Sequence, residues 1–228
     1  MSIEMDSSDF KIWSPNNVVV FERNVFSRNA IIDAVEKTYP GSNILCFDCF
    51  VKTIKFIICE CDSTHSTLVI IEFSGDKNSP FLFFNAMNSY FSADHKKLFK
   101  TLIYTTVEDR FFISSMVDLI SGGVVLKKES ILSMKRVLYA LKYNNQIVLS
   151  AGVSELLEDY PPPNVSFNEL KGYFSEIGEP RLSLTSCRIG SKYKTFYSRR
   201  YSTMTKIGCK NVRQYSRYLS KIVGKLSE

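Results

Sequence analysis

The chain has 228 residues, of which 45% are hydrophobic and 23% are charged, and its net charge is +6. This composition excludes a disordered chain, and the length allows one large domain or one domain with a small appendage. The amino terminus, MSIEMDSSDF, is acidic and polar rather than a signal peptide, and no apolar run approaches the ~18 residues of a membrane span. We therefore expect an intracellular protein with reduced thiols, neither secreted nor transmembrane.

The charge is distributed unevenly along the chain. Residues 1–180 contain 17 Lys and Arg against 22 Asp and Glu, a balance of −5. Residues 181–228 contain 12 Lys and Arg against the single acid Glu228, a balance of +11. This asymmetry predicts a basic carboxyl-terminal module that meets phosphates or another anionic surface.

The first half of the chain alternates between helical and extended patterns. A short strand is predicted over Asn17–Phe21, followed by a helix that Ser27 caps and that ends near Tyr39. Three runs rich in β-branched and aromatic residues predict strands at Ile44–Val51, Thr53–Cys61 and Thr67–Phe73. The apolar run FLFF at 81–84 predicts a fourth, buried strand.

The next segment is predicted to be mostly helical. A helix starting at Ser92 would carry Leu98, Leu102 and Ile103. Further elements are a helix over 108–121, a strand over 124–126, a helix over 130–143 and a strand at QIVLS, 146–150. The sequence thus predicts an α+β or mixed α/β domain, with one central sheet and flanking helices.

Three consecutive prolines predict a joint between two modules. We place a mixed α/β domain at 1–158, a Pro-rich joint at 159–165 and a basic module at 166–228. The run Tyr160–Pro163 is read as a stiff polyproline II linker, with a docking motif for a proline-recognising partner as the alternative. After it, Ser166 and Glu169 have capping-box spacing for a helix that ends near Gly178, and 181–189 alternates like a strand.

The segment KYKTFYSRRY, 192–201, combines cations with aromatic rings. Tyr193, Tyr197 and Tyr201 are four residues apart, which places them on one face of a strand or on one stripe of a helix. Cations neutralise phosphates and aromatic faces stack on bases, so this combination predicts nucleic-acid binding. The predicted contacts in this segment are Lys192, Tyr193, Lys194, Phe196, Tyr197, Arg199, Arg200 and Tyr201.

The last segment predicts a basic amphipathic helix that Asn211 caps. Its apolar stripe comprises Val212, Tyr215, Leu219, Ile222, Val223 and Leu226. Beside it runs a cationic stripe of Arg213, Arg217, Lys221 and Lys225, which Lys206 and Lys210 extend backwards. We add Lys210, Arg213, Arg217, Lys221 and Lys225 to the predicted phosphate contacts.

We interpret the protein as a non-enzymatic nucleic-acid-binding protein with RNA or single strands as its partner. Its use of Lys, Asn, Ile, Phe and Tyr indicates an AT-rich genome, which favours a viral accessory or nucleocapsid-like protein. The alternative is an interaction protein whose basic helix docks on an anionic membrane or an acidic partner. The sequence leaves the oligomeric state open.

The cysteines offer a candidate zinc site, although no cofactor is required by the main interpretation. Four of the six cysteines, with one histidine, read C-x2-C-x9-C-x-C-x3-H; these residues are Cys46, Cys49, Cys59, Cys61 and His65. Thiolates and an imidazole in such proximity could complete a tetrahedral site. The spacing is not that of a standard zinc knuckle, so buried structural thiols are the favoured interpretation.

No nucleophile motif, phosphate-binding glycine loop or metalloprotease motif occurs. Over about 50 residues, however, the predicted helix and strands with Glu60, Asp62 and Glu72 resemble the PD-(D/E)xK nucleases. The resemblance implies Mg²⁺ between Asp62 and Glu72. The lysine of that family would fall on Ser74, with Lys77 further along, and Cys61 replaces its proline. If the protein is an enzyme, a degenerate metal-dependent nuclease is the expectation.

Overall fold

The computed structural model describes residues 12–61, 65–73, 79–91, 99–178 and 191–227, with the side chains of 88–91 and 191–193 excepted. Within these ranges the strands are β1 Asn17–Phe21, β2 Asn43–Phe47, β3 Thr67–Phe73, β4 Phe99–Thr105, β5 Gly122–Leu126 and β6 Val148–Leu149. The helices are α1 Val25–Thr38, α2 Phe50–Cys59, α3 Ser79–Phe91, α4 Arg110–Val117, α5 Ile131–Leu141, α6 Ala151–Leu157, α7 Phe167–Gly178, α8 Ser191–Ile207 and α9 Val212–Ser227.

The six strands form one parallel sheet in the order β2-β1-β3-β4-β5-β6. Strands and helices alternate along the chain, as crossover connections between parallel strands require. The prediction of a mixed α/β fold with one central sheet and flanking helices is therefore confirmed.

Both faces of the sheet are buried. Along β1, Val18 and Val20 point to one face and pack with α1 and α5. Val19 and Phe21 point to the other face, where α2, α3, α4, α7 and α9 supply apolar side chains. Because neither face meets water, the strand sequences show no alternation of polar and apolar residues.

This burial explains three errors in the predicted elements. Thr53–Cys61 lies mainly in α2, which buries Phe50, Thr53, Ile54 and Ile57 at helical spacing despite its β-branched residues. The run 81–84 belongs to α3, and Leu102 and Ile103 lie in the central strand β4 rather than in a helix. The expected helix start at Ser92, with Leu98, and the strand at 181–189 lie outside the described residues.

The carboxyl-terminal helices pack on the sheet-bearing part through aromatic contacts. The ring of Phe84 in α3 stacks on Phe167 at 4.8 Å and lies 5.3 Å from Phe174, measured between ring centroids. Phe111 of α4 meets Tyr173 edge to face at 5.0 Å. The predicted joint at 159–165 contains no helix or strand, and Pro161 and Pro162 are exposed there. The module boundary and the proline-recognising partner remain predictions.

Gly122, at the start of β5, has a backbone that other residues adopt only with strain. Its φ is +152°, and a Cβ there would lie 2.7 Å from the amide nitrogen and 2.8 Å from the carbonyl carbon of Thr101. We expect Gly122→Ala to lower the free energy of unfolding by about 2 kcal/mol or more, measured by urea denaturation.

The matched control is Gly224→Ala in α9, where a Cβ meets nothing within 4 Å. This change should be neutral or stabilise by up to about 1 kcal/mol, because alanine favours the helix. Equal effects of the two substitutions would contradict the close approach of β5 to β4.

Candidate functional site

Helix α8 is held on α7 by two buried glutamates. Arg200 Nε lies 3.2 Å from Glu176 Oε1, and Lys206 Nζ lies 2.8 Å from Glu169 Oε2. The hydroxyl of Ser202 also donates a hydrogen bond to Glu169. Burial acts to raise the pKa of Glu169, but the bonds from Lys206, Ser202 and Ser166 outweigh it and lower the pKa to about 2. Glu169 therefore stays ionised and fixes one side of α8.

The opposite side of α8 faces solvent and carries cations and rings. Lys194, Tyr197 and Tyr201 follow one another at helical spacing on one stripe of this side, and all three are exposed. Arg199 is also exposed, but its offset of two residues from each tyrosine places it at the other edge of the solvent-facing surface, in line with Lys206. Tyr201 is 67% exposed and Tyr197 is 39% exposed. Among the described residues, neither Lys194 nor Arg199 has an ion pair. Lys192 and Tyr193 fall in the first turn of α8, and their side chains lie outside the description.

The predicted contacts of 192–201 thus divide between two sides of one helix. Arg200 was predicted to hold phosphate, but its guanidinium pairs with Glu176 and lies 5.5 Å above the ring of Tyr215. Phe196 is half-buried and meets Tyr197 edge to face. The sequence was compatible with either a strand or a helix here, and the structure shows a helix. In this helix the neighbouring cations Arg199 and Arg200 have different surroundings, one exposed to solvent and the other paired with Glu176.

Helix α9 presents the predicted cationic stripe to solvent. Arg213, Arg217, Lys221 and Lys225 are exposed, as is Lys210 in the turn before the helix, while Tyr215, Leu219, Ile222 and Leu226 are buried. The hydroxyl of Tyr218 donates to Asp109 Oδ1 at 2.6 Å, and Asp109 also caps α4. Thr106 Oγ1 donates to the carbonyl of Lys225 at 3.0 Å. These contacts hold the apolar side of α9 inward and its cations outward.

Arg200 and Arg199 allow a direct test of this division. Arg200→Gln leaves the buried Glu176 without its cation, so we expect the free energy of unfolding to fall by about 3 kcal/mol. Arg199→Gln changes an exposed side chain and should alter it by less than about 0.5 kcal/mol. Urea denaturation of both variants measures this; similar losses would contradict the assigned orientation of α8.

A second cluster lies where the parallel strands end. Glu22 follows β1, Glu72 lies near the end of β3 and Lys127 follows β5; the two glutamates are 0% and 1% exposed. Lys127 Nζ lies 3.2 Å from Glu22 Oε2 and is bonded to Glu72 Oε1. The backbone amides of Asn24 and Arg23 donate to Glu22 and Glu72 at 2.8 and 3.3 Å. In parallel α/β sheets this edge, at the point where the strand order reverses, is the usual ligand position.

The positive charge of Lys127 compensates negative charge on the two glutamates of this cluster. Burial, followed by the neighbouring Glu72, raises the pKa of Glu22 to about 7, against the lowering effect of the Asn24 amide and Lys127. Burial acts to lower the pKa of Lys127, but its bond and attraction to Glu72 and Glu22 outweigh it, so that the pKa is raised. Lys127 is therefore charged at neutral pH, whereas the carboxyl group of Glu22 is only partly ionised there.

This environment corrects the interpretation that Glu72 is a metal ligand of a nuclease. Glu72 lies in the parallel sheet and pairs with Lys127, whereas Asp62, Ser74 and Lys77 lie outside the described residues and Glu60 follows α2. A helix also replaces the second strand that the resemblance requires. The sequence analysis missed this cluster. Glu22, Glu72 and Lys127 lie far apart in the sequence, each at the end of an apolar segment, and they meet only because the three strands run parallel in one sheet.

The candidate zinc ligands are not brought together either. Cys46 lies in β2, Cys49 precedes α2, and Cys59 ends α2 with an exposed side chain. Burial raises the pKa of Cys61 to about 11, which disfavours the thiolate that zinc requires. Within the described ranges, no three His, Cys, Asp or Glu side chains are placed to hold a metal ion. No described helix has the length and apolar character needed to cross a membrane.

The raised pKa of Glu22 makes stability depend on pH. Between pH 4.5 and about 7 the folded protein binds more protons at Glu22 than the unfolded chain does, so this contribution is complete below that window and is lost as pH rises through it. Glu22→Gln cannot titrate. We expect the fall in the free energy of unfolding between about pH 5 and 8 to be smaller in this variant by about 1 kcal/mol or more.

Chemical denaturation at a series of pH values measures the effect. Glu36→Gln, an exposed position on α1, serves as control and should retain the wild-type slope. Parallel curves for the wild type and Glu22→Gln would show that Glu22 is not the proton-binding group.

Comparisons with known proteins show that this architecture is similar to solved structures of RcsB. RcsB from Salmonella enterica serovar Typhimurium, bound to promoter P1flhDC in the presence of phosphomimetic BeF3⁻, has a TM-score of 0.61 and 20% identity over 91% of this chain and all of that one (100%). RcsB bound to promoter rprA gives 0.58 and 20%, over 91% of this chain and 99% of that one. The chain has the α/β fold of a response-regulator receiver domain, followed by carboxyl-terminal helices.

The isolated REC domain of RcsB is similar to part of this chain. It matches with a TM-score of 0.50 and 19% identity, covering 63% of this chain and 99% of that domain. The longer RcsB chains cover 91% of this chain, a larger share than the REC domain alone covers. No protein-family model and no curated protein sequence matches the chain.

Proposed function

We propose that the protein binds double-stranded DNA through the exposed side of α8 and the cationic stripe of α9. We call this the α8/α9 basic surface; its described cations are Lys194, Arg199, Lys210, Arg213, Arg217, Lys221 and Lys225. The observation that carries the proposal is the division of α8, in which buried glutamates hold one side and leave a cationic, aromatic side exposed. A helix fixed in this way can enter a groove without first becoming ordered.

The dimensions of α8 suit the major groove of DNA. Its 17 residues span about 25 Å, and the groove is about 12 Å wide, enough to admit a helix. Lys194 and Arg199 would contact phosphates. Tyr197 and Tyr201 would face base edges, where a hydroxyl donates hydrogen bonds and a ring contacts thymine methyl groups. Aromatic side chains that stack on the unpaired bases of single-stranded RNA are typically presented on an exposed β-sheet, whereas Tyr197 and Tyr201 lie on a helix.

The solved relatives support duplex DNA as the partner. They include RcsB bound to promoter P1flhDC and two RcsB dimers bound to two parallel DNAs, the latter with a TM-score of 0.55. By analogy we propose that this chain binds DNA as a dimer, in the manner of a transcriptional regulator. The RNA partner, the membrane partner and the viral origin expected from the sequence find no support in these comparisons.

The salt dependence of DNA binding tests the proposal. Each phosphate contact in B-DNA adds about 0.9 to the slope of log affinity against log salt. We expect the full chain to bind a random-sequence 30-base-pair duplex with a steep slope. Lys194→Gln/Arg199→Gln should reduce that slope by about 2, because two phosphate contacts are lost. Fluorescence anisotropy at several salt concentrations measures both.

A matched control removes the same charge elsewhere. Lys52→Gln/Lys55→Gln changes two exposed lysines of α2 and should leave the slope unchanged. A single-stranded RNA of equal length should bind more weakly than the duplex. Equal slopes for the two double variants, or preferential binding of the RNA, would contradict duplex recognition by α8.

A further inference from the structure

A groove of about 570 Å³ lies on the side of the sheet away from α7 and α9, between the outward sides of α1 and α5. The described residues that line it include the cations Lys37, Lys135, Arg136 and Lys142, and none of them carries a carboxylate. The groove belongs neither to the α8/α9 basic surface nor to the strand-end cluster. Its charge therefore has no role in the function proposed above.

The positive charge of the groove is only partly balanced. Asp33 lies 2.6 Å from Lys37 and 3.3 Å from Lys135, measured from carboxylate oxygen to Nζ, so one acid serves two lysines. Among the described residues, Arg136 and Lys142 have no ion pair. Lys142 instead lies over the rings of Tyr39 and Tyr139, at 5.4 and 5.9 Å from their centroids. The groove thus presents an excess of positive charge held in position by aromatic rings.

Large apolar side chains are exposed in the same groove. Leu132 and Tyr139 are seven residues apart on α5, which places them on one side of the helix, and each is 58% exposed. Exposed apolar groups clustered with arginine and tyrosine are typical of protein interaction sites. Water solvates the cations of the groove favourably, but contact between water and the apolar surfaces of Leu132 and Tyr139 is unfavourable.

The combination of charge and apolar surface selects among occupants. A small anion would pair with the cations and leave Leu132 and Tyr139 exposed. A second copy of the chain, packed symmetrically on this groove, would place like charges against each other. An acidic peptide segment with apolar side chains satisfies both features, since carboxylates pair with arginine and lysine while apolar groups cover the leucine and tyrosine.

We propose that the α1/α5 groove docks an acidic, partly apolar peptide segment of a partner protein. Its carboxylates bind Arg136 and Lys142, and its apolar side chains cover Leu132 and Tyr139. The site is independent of DNA binding, because the helices that form it pack on the opposite face of the sheet from α7 and α9.

A labelled synthetic peptide tests this assignment with the full chain. The probe is a fluorescein-labelled dodecapeptide in which glutamates alternate with leucine and phenylalanine. We expect saturable binding by fluorescence anisotropy, weakened about 10-fold or more by Arg136→Gln/Lys142→Gln and by Leu132→Ser/Tyr139→Ser, an effect equivalent to at least about 1.4 kcal/mol. Lys52→Gln/Lys55→Gln, which removes the same charge from α2, should bind like the wild type.

Several results would overturn the proposal. Among them are unchanged binding in the groove variants, equal binding of a peptide whose apolar residues are all serine, and self-association that the groove variants abolish in sedimentation experiments. The chain's own acids at its amino terminus are a competing source of carboxylates. If Glu4→Gln/Asp6→Asn/Asp9→Asn strengthened probe binding about 10-fold or more, the groove would belong to this chain's own segment and not to a partner.

The test is separate from that of DNA binding. Arg136→Gln/Lys142→Gln should leave the affinity and salt slope for duplex DNA unchanged. Loss of DNA binding in this variant would place the groove in the DNA interface and refute the proposed partner. Failure of Lys194→Gln/Arg199→Gln to affect DNA would refute the proposed function without touching the groove.

Discussion

A parallel sheet buries apolar side chains on both faces, so each face must be covered by other elements of the chain. In this protein α1 and α5 cover one face, and α2, α3 and α4 cover the other together with α7 and α9. The carboxyl-terminal helices are therefore part of the main hydrophobic core, through Phe174, Tyr215 and Ile222 among others. Their attachment fixes which side of α8 and α9 remains available to a partner.

The charges of the molecule fall into two groups with different physical roles. Several buried charges form pairs that hold elements together, as Arg200 does with Glu176 and Lys127 with Glu22 and Glu72. Removing one member of such a pair leaves an uncompensated charge in a poorly solvated place, so these residues serve the fold. Exposed cations on α8 and α9 lose little by remaining in water, and some of them are the residues that we propose as phosphate contacts.

In the strand-end cluster, charged side chains of the chain itself fill the position at which parallel sheets usually bind ligands. The carboxyl edge of a parallel sheet is open to ligands because the helices begin there and the strand order reverses. Here Lys127 already lies between the two carboxylates, and the backbone amides of Arg23 and Asn24 donate to them. With its charge satisfied internally, the cluster ties the ends of β1, β3 and β5 together.

The sequence by itself determined the mixed α/β class, the strands Asn17–Phe21 and Thr67–Phe73, the capped helices after Ser166 and Asn211, and the location of the positive excess. These features can be recognised in the sequence because hydrophobic periodicity, helix capping and local charge involve only residues that are close together along the chain. The tertiary structure decided that Thr53–Cys61 and 81–84 are helical, because burial on both sides removes the pattern that separates a strand from a buried helix. It also decided that Arg200 supports the fold while Arg199 faces solvent. Their roles depend on where α7 lies, and no local pattern in the sequence encodes that position.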